Sequence, residues 1–181
     1  MTYEINPPST TFLFILDLPT QDGVATGGDT LFLSQVEAYN RLSSAFQSFL
    51  STLSAFHSGY EQAADARVAE GHVRREPVSN IHPVVRVHPV TGQKALFVNE
   101  QFTRYIVGFK KEESDAILKF LYDHLAKSAD IQIRVKWERG TVVVWDNRIT
   151  AHSALHDFDR SERRHAVRIT PRAERPIPVN Q

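Results

Sequence analysis

The sequence predicts an α+β fold, mainly β, with a barrel-like strand core and two helices outside it. Three observations carry that prediction. Short runs rich in Thr, Val, Ile and Phe recur along the chain, at residues 10–18, 55–60, 84–99, 131–137 and 141–145. Apolar residues fall at helical spacing in two places only, residues 35–53 and 112–127. No repeat or low-complexity block interrupts the 181 residues, which are one domain's worth and enough to bury a core.

Residues 1–8 lead into the first strand, where Pro7 and Pro8 exclude a helix. A loop over 21–26 ends on Gly27-Gly28-Asp29-Thr30. The two glycines permit positive φ and a close backbone approach, and Thr30 opens the next extended piece. A Gly-Gly-Asp run is also an ordinary turn, so alone it points to no ligand. Over 35–53, Val36, Tyr39, Leu42, Phe46, Phe49, Leu50 and Leu53 recur every three or four residues, the stripe of one helix lying on a core. Ser34 suits its N-cap, with Glu37 completing a capping box.

Residues 55–60 read as a short strand, and the charged, alanine-rich stretch 61–76 reads as a helical or mobile excursion, expected to be an exposed insert or lid, with Arg74 and Arg75 near its end. Residues 84–99 read as a hairpin around Thr91-Gly92, and His82 and His88, each followed by proline, read as structural. The second helix, 112–127, is acidic at its start and ends on Lys127, which suits its negative pole. Strands 131–137 and 141–145 are joined by Glu138-Arg139-Gly140, and residues 171–181, with Pro171, Pro176 and Pro178, form an irregular tail to a single domain over 1–181.

Lys plus Arg and Asp plus Glu each number 21, so no net charge draws the chain to nucleic acid or anionic lipid. The lack of cysteine excludes disulfides, thiolate metal sites and a cysteine nucleophile. The best apolar run, residues 12–18, is far too short to span a bilayer, and no basic segment precedes it. These features point to a soluble, cytoplasmic protein with no draw to nucleic acid or a membrane.

The chemistry concentrates in Trp145-Asp146-Asn147-Arg148-Ile149-Thr150-Ala151-His152-Ser153-Ala154 and in Arg163-Arg164-His165-Ala166-Val167-Arg168. The first reads as a strand, a tight polar turn and a second strand carrying His152. In the second, alternate side chains share a face, so Arg164, Ala166 and Arg168 look one way, the arginines roughly 13 Å apart at about 3.3 Å per residue. An imidazole and two guanidinium groups in one cavity would suit an anionic ligand beside a metal. Taken singly these residues are ordinary: a lone strand histidine is more often structural, and arginines near a C-terminus are mostly solvated.

The order Trp145-Asp146-Asn147-Arg148, His152, Arg164 and Arg168, with Gly27-Gly28-Asp29-Thr30 and the stretch 84–102, resembles the taurine dioxygenase (TauD/TfdA) family of iron(II)- and 2-oxoglutarate-dependent dioxygenases. The resemblance sharpens the fold to a double-stranded β-helix, or jelly roll, incomplete at its N-terminus. It implies Fe(II), 2-oxoglutarate as cosubstrate, O2, and a small anionic substrate such as taurine or another sulfonate, with succinate and CO2 as products. By match to the family, His152 is an iron ligand, Thr30 and Arg164 hold the distal carboxylate of 2-oxoglutarate, and Arg168 holds the substrate anion. The planar fork of Arg164 suits a bidentate grip on carboxylate better than an ammonium would. Family members assemble, which leaves room for a homo-oligomer.

Iron in such enzymes is held by two histidines and a carboxylate. In the family the other two ligands come from a His-x-Asp motif immediately before the segment matching Met1-Thr2-Tyr3-Glu4. None of the eight histidines here has Asp or Glu two residues later. His156 with Asp157 and Asp159 is the nearest acidic cluster, in a loop that the family keeps outside its metal site. The expectation is therefore a truncated dioxygenase with one of three iron ligands. Two alternatives stand beside it: a non-catalytic pseudoenzyme or anion-binding module of the same fold, and an interaction domain whose arginines are merely solvated.

Overall fold

The computed structural model describes residues 1–21, 24–69, 73, 76–158 and 163–179. In chain order the elements are β1 (Thr10–Asp17), β2 (Thr20–Gln21), β3 (Val24–Ala25), β4 (Thr30–Ser34), α1 (Gln35–Asn40), α2 (Ser44–Ser51), β5 (Ser54–Ser58), α3 (Tyr60–Val68), β6 (Ser79–Pro83) and β7 (Val85–Val87). They continue with β8 (Lys94–Leu96), β9 (Thr103–Ile106), α4 (Lys111–Lys127), β10 (Gln132–Val135), β11 (Val142–Asp146), β12 (Thr150–Ala154), β13 (His165–Ile169) and β14 (Ile177–Pro178). Arg74 and Arg75 lie outside the described residues.

Two antiparallel sheets carry the jelly roll: β1 sits between β11 and β13, and β4 sits between β10 and β12. From β10 onward the chain alternates between them, β10 on β4, β11 on β1, β12 back on β4 and β13 back on β1. That winding buries alternate side chains between the sheets. Ile15, Leu18, Phe32, Trp137 and Trp145 fill the interior, with Leu13, Val135, Val143 and Ala166 beside them. The outward face of the β1 sheet is apolar as well: Phe12 lies opposite Val144 and Ile169, Phe14 lies opposite Val142 and Val167, and all six are exposed. A second core joins α1, α2 and α4 to β5, β7, β8 and β9 through residues such as Tyr39, Leu50, Leu96, Ile106 and Leu121.

Several expectations need correction. The helix expected over 35–53 is two helices. Ser43 breaks it by accepting a bond from Phe46 N at 3.4 Å as the N-cap of α2. Gln47 Nε2 meanwhile donates to the carbonyls of Tyr39 at 2.9 Å and Leu42 at 3.0 Å, which satisfies the end of α1. Ser34 caps α1 as expected, but Glu37 turns to Asn40, so the capping box stays half made. α3 falls where the charged, alanine-rich stretch reads as a helical or mobile excursion. The tail is not wholly irregular: Ile177 and Pro178 pair with Val87 and Arg86 at a sheet edge, where a proline's missing N–H costs nothing. No helix among the described residues is long and apolar enough to cross a membrane.

Candidate functional site

The site is built on the β4–β12 pairing, where His152 lies opposite Phe32 and Ala154 opposite Thr30. Directly opposed residues share a sheet face, so Thr30, Phe32 and His152 all turn to the interior. The His152 ring sits 5.0 Å from Trp145, edge to face, and 5.8 Å from Phe32. Trp145 is itself held, because its Nε1 donates to Asn147 Oδ1 at 2.9 Å and Asn147 Nδ2 donates to Thr11 Oγ1 at 2.9 Å. Asp146 accepts from the backbone N of Arg148 at 2.8 Å, from its Nη2 at 2.6 Å and from His88 Nε2 at 3.0 Å. The Trp-Asp-Asn-Arg segment is thus a tied corner that sets an indole against the imidazole.

Neither ring nitrogen of His152 has a hydrogen-bond partner among the described residues, and the ring opens to solvent at the mouth of the interior. Crowding by protein, and then the charge of Arg168, hold its pKa below the ordinary imidazole value. The neutral form, with a lone pair to offer, therefore prevails at neutral pH. By contrast His57, His82, His88 and His124 each bond to a hydroxyl, a carbonyl or a carboxylate.

Thr30 is buried, and its Oγ1 accepts from the indole Nε1 of Trp137 at 3.2 Å. With an acceptor lone pair so occupied, the hydroxyl proton is left to donate. Arg164 comes just before β13 and lies along Gly28: its Nη2 donates to Gly28 O at 3.1 Å, while its Nε is buried without a partner. Gly28 has φ +77°, and a Cβ there would stand 3.0 Å from Arg164 Nε, so the glycine is what lets the guanidinium lie down. Gly28 N donates to Asp157 Oδ1 at 2.7 Å, Arg134 Nη2 donates to Asp157 Oδ2 at 2.9 Å, and Arg134 Nε donates to the buried Asp29 at 2.6 Å.

Arg168 stands opposite Leu13 and Ala166 opposite Ile15, the inward-facing residues of β1, so Ala166 and Arg168 share the interior side as expected. Arg168 is solvent-accessible and has no ion pair among the described residues. Asp157 serves the Gly27-Gly28 turn, and Asp159 lies outside the described residues. Trp137 and Arg134 escaped the sequence reading, and Asp157 enters it only as part of an acidic cluster outside the metal site. Only Trp137 carried a signal, since a buried indole N–H must find an acceptor; Arg134 and Asp29 are 105 positions apart. Among the described residues no group of three or more His, Asp or Glu could hold a metal ion, so His152 offers one imidazole.

Residues 1–170 match the family model described as taurine catabolism dioxygenase TauD, TfdA family. The chain belongs to the TauD/TfdA family. It is 50% identical over 177 residues to the alpha-ketoglutarate-dependent sulfonate dioxygenase of Saccharomyces cerevisiae, covering 98% of this chain and 42% of that protein. It is 33% identical over 166 residues to an alpha-ketoglutarate-dependent sulfate ester dioxygenase of Pseudomonas putida, covering 86% of this chain and 54% of that one. The crystal structure of a taurine dioxygenase from Burkholderia xenovorans superposes with a TM-score of 0.79 at 32% identity, over 96% of this chain and 55% of that chain. This TauD/TfdA chain therefore spans about half the length of the relatives it matches.

Proposed function

We propose that the chain carries the cosubstrate- and substrate-binding part of an Fe(II)- and 2-oxoglutarate-dependent dioxygenase acting on a small sulfonate or a chemically similar anion. The observation that carries this reading is Arg164, a guanidinium with a buried, unpartnered Nε and no carboxylate among the described residues, lying against the turn that presents Thr30. Thr30 Oγ would donate to one oxygen of the 2-oxoglutarate distal carboxylate and Arg164 would meet the other. That grip fixes the cosubstrate's length along the interior, so that its keto acid end points toward His152. Arg168, also without an ion pair, would take the anionic head of the substrate from the opposite sheet. A sulfonate and a sulfate ester both present three-oxygen heads, and relatives of both kinds match the chain.

These residues fit the carboxylate of the cosubstrate. Toward iron the chain offers the neutral imidazole of His152, and the remaining ligands would come from outside the described residues. Iron with bound 2-oxoglutarate would supply the oxidising power, consuming O2 and releasing succinate and CO2. The rings of Phe32 and Trp145 would hold His152 in place and keep water from its flanks. One second reading, an anion-binding module of the same fold, is favoured by the lack of a three-ligand group among the described residues.

Succinate release from 2-oxoglutarate, measured with Fe(II), O2 and taurine or an alkylsulfonate on the protein that carries this chain, separates the two. Arg164→Ala is expected to raise the KM for 2-oxoglutarate by about tenfold or more and that for sulfonate far less, with Arg168→Ala doing the reverse. Equal effects on both ligands would overturn the assignment, and 2-oxoglutarate binding without any turnover would identify the module.

A further inference from the structure

Arg164 shares the Gly28 turn with two carboxylates, those of Asp157, which holds the Gly28 amide, and Asp29, the next residue in the chain. Asp157 touches the same glycine: its Oδ1 accepts from Gly28 N at 2.7 Å, while Arg164 donates to Gly28 O at 3.1 Å. The Gly28 amide first, and Arg134 with it, hold the Asp157 carboxyl below its ordinary range, so it is charged at neutral pH. A charged carboxylate beside a guanidinium is a built-in competitor for any carboxylate ligand. In this structure neither acid pairs with Arg164, and Arg134 engages both, through Nε to Asp29 Oδ2 at 2.6 Å and Nη2 to Asp157 Oδ2 at 2.9 Å.

We propose that Arg134 is a positioning residue for the cosubstrate: by engaging Asp29 and Asp157 together it keeps Arg164 free of internal partners and open to an incoming carboxylate. The inference rests on Thr30 and Arg164 being the carboxylate site. Arginine suits the task because its fork reaches two acids at once, whereas an ammonium is a single point charge. Arg134 itself is half exposed and lies opposite Leu31, on the sheet face away from Thr30, so it need not touch the ligand.

Binding of 2-oxoglutarate to the 181-residue chain, measured by calorimetry in EDTA so that metal plays no part, tests this. Arg134→Gln keeps donors facing both acids but removes the charge, and its Kd is expected to rise about tenfold as Asp157 turns to Arg164. Asp157→Asn keeps an acceptor for Gly28 N and is expected to change Kd by less than about threefold. The double variant Arg134→Gln/Asp157→Asn is then expected to return to within about threefold of the parent, a rescue that a merely structural role would not give. Arg134→Lys, which can serve one acid at a time, is expected near threefold weaker and carries the test should Arg134→Gln fail to fold.

An unchanged Kd in Arg134→Gln or Arg134→Lys, or a double variant as weak as the single one, overturns the role of Arg134 and leaves the carboxylate site standing. A parent chain that binds neither 2-oxoglutarate nor glutarate, which shares the distal carboxylate but lacks the keto acid, sinks the site and this inference with it.

Discussion

Arg86 is 1% exposed, donates to Glu174 at 2.6 Å and lies 5.0 Å over the Phe97 ring, whereas Arg164 donates only to the Gly28 carbonyl and has no carboxylate among the described residues. The histidines around them differ in the same way. His57 bonds to Thr2 at 3.0 Å and His82 to the Glu4 carbonyl at 2.8 Å, both rings packing on Phe97, while neither nitrogen of His152 has a partner among the described residues. Imidazole and guanidinium therefore occur twice, once with their main partners supplied by the protein and once without a carboxylate or ring-nitrogen partner among the described residues. The contrast teaches that residue type alone does not mark a ligand site, because the same two groups can be spent inside the protein or left for another partner.

The strongest way to break the contrast is to delete the two arginines in turn. Arg86→Ala leaves Glu174 only its longer ion pair with Arg148 at 3.6 Å and is expected to lower the unfolding free energy by about 3 kcal/mol, near the low end for a buried pair because Glu174 is 30% exposed. Arg164→Ala removes little that the folded chain uses, and a cost below about 1 kcal/mol is expected. Urea unfolding of the two variants checks this, and similar losses would abolish the distinction.

Acid should act on the closed cluster first. Burial above all lowers the His57 pKa from 6.5 to about 3 and the His82 pKa from 6.5 to about 4. Below pH 6.5 the unfolded chain takes up protons that these folded rings refuse, so their contribution is intact above that pH and is lost as pH falls toward 4. Each ring contributes a slope of up to about 1.4 kcal/mol per pH unit. Asp146, pushed up by burial but brought down to about 2 by Arg148 and His88, adds its own loss only at lower pH. Stability of the parent and of His57→Gln across pH 4 to 7 is the measurement, and the variant should show the shallower slope.

The smallest expected effect sharpens the open region. Gly28→Ala and Gly92→Ala both place a side chain at positive φ, +77° and +71°, and each is expected to cost about 1–2 kcal/mol of strain. Only at Gly28 does the new Cβ crowd Arg164, at 3.0 Å from Nε, whereas nothing lies within 4 Å at Gly92. Weaker 2-oxoglutarate binding is therefore expected for Gly28→Ala alone, and equal binding in the two would show that the Arg164 pose does not matter.

Much of this molecule was legible before any coordinates. The runs rich in branched and aromatic residues became strands, Thr91-Gly92 became a hairpin turn, and Leu118, Leu121 and Leu125 became the buried stripe of α4. Thr30, His152 and Arg168 turned inward at the corners their motifs suggested, and Arg164 settled on Gly28. These outcomes rest on short-range physics: backbone preference, side-chain alternation and the geometry of a few neighbouring residues.

Other features depended on partners far along the chain. Thr10–Asp17 is apolar on both faces, and only the packing of the second sheet made Ile15 core and left Phe12 and Phe14 exposed. The break at Ser43 came from Gln47 folding back on the carbonyls of α1, and the use of Pro178 as a strand residue came from an open edge beside β7. Arg134, Trp137 and Asp157 took their places by pairing with groups that local pattern cannot connect to them, Trp137 with Thr30 being 107 positions removed. Local preference could thus name the elements and the reactive side chains, but burial and ion pairing depend on which distant surfaces meet, and only the folded chain brings those together.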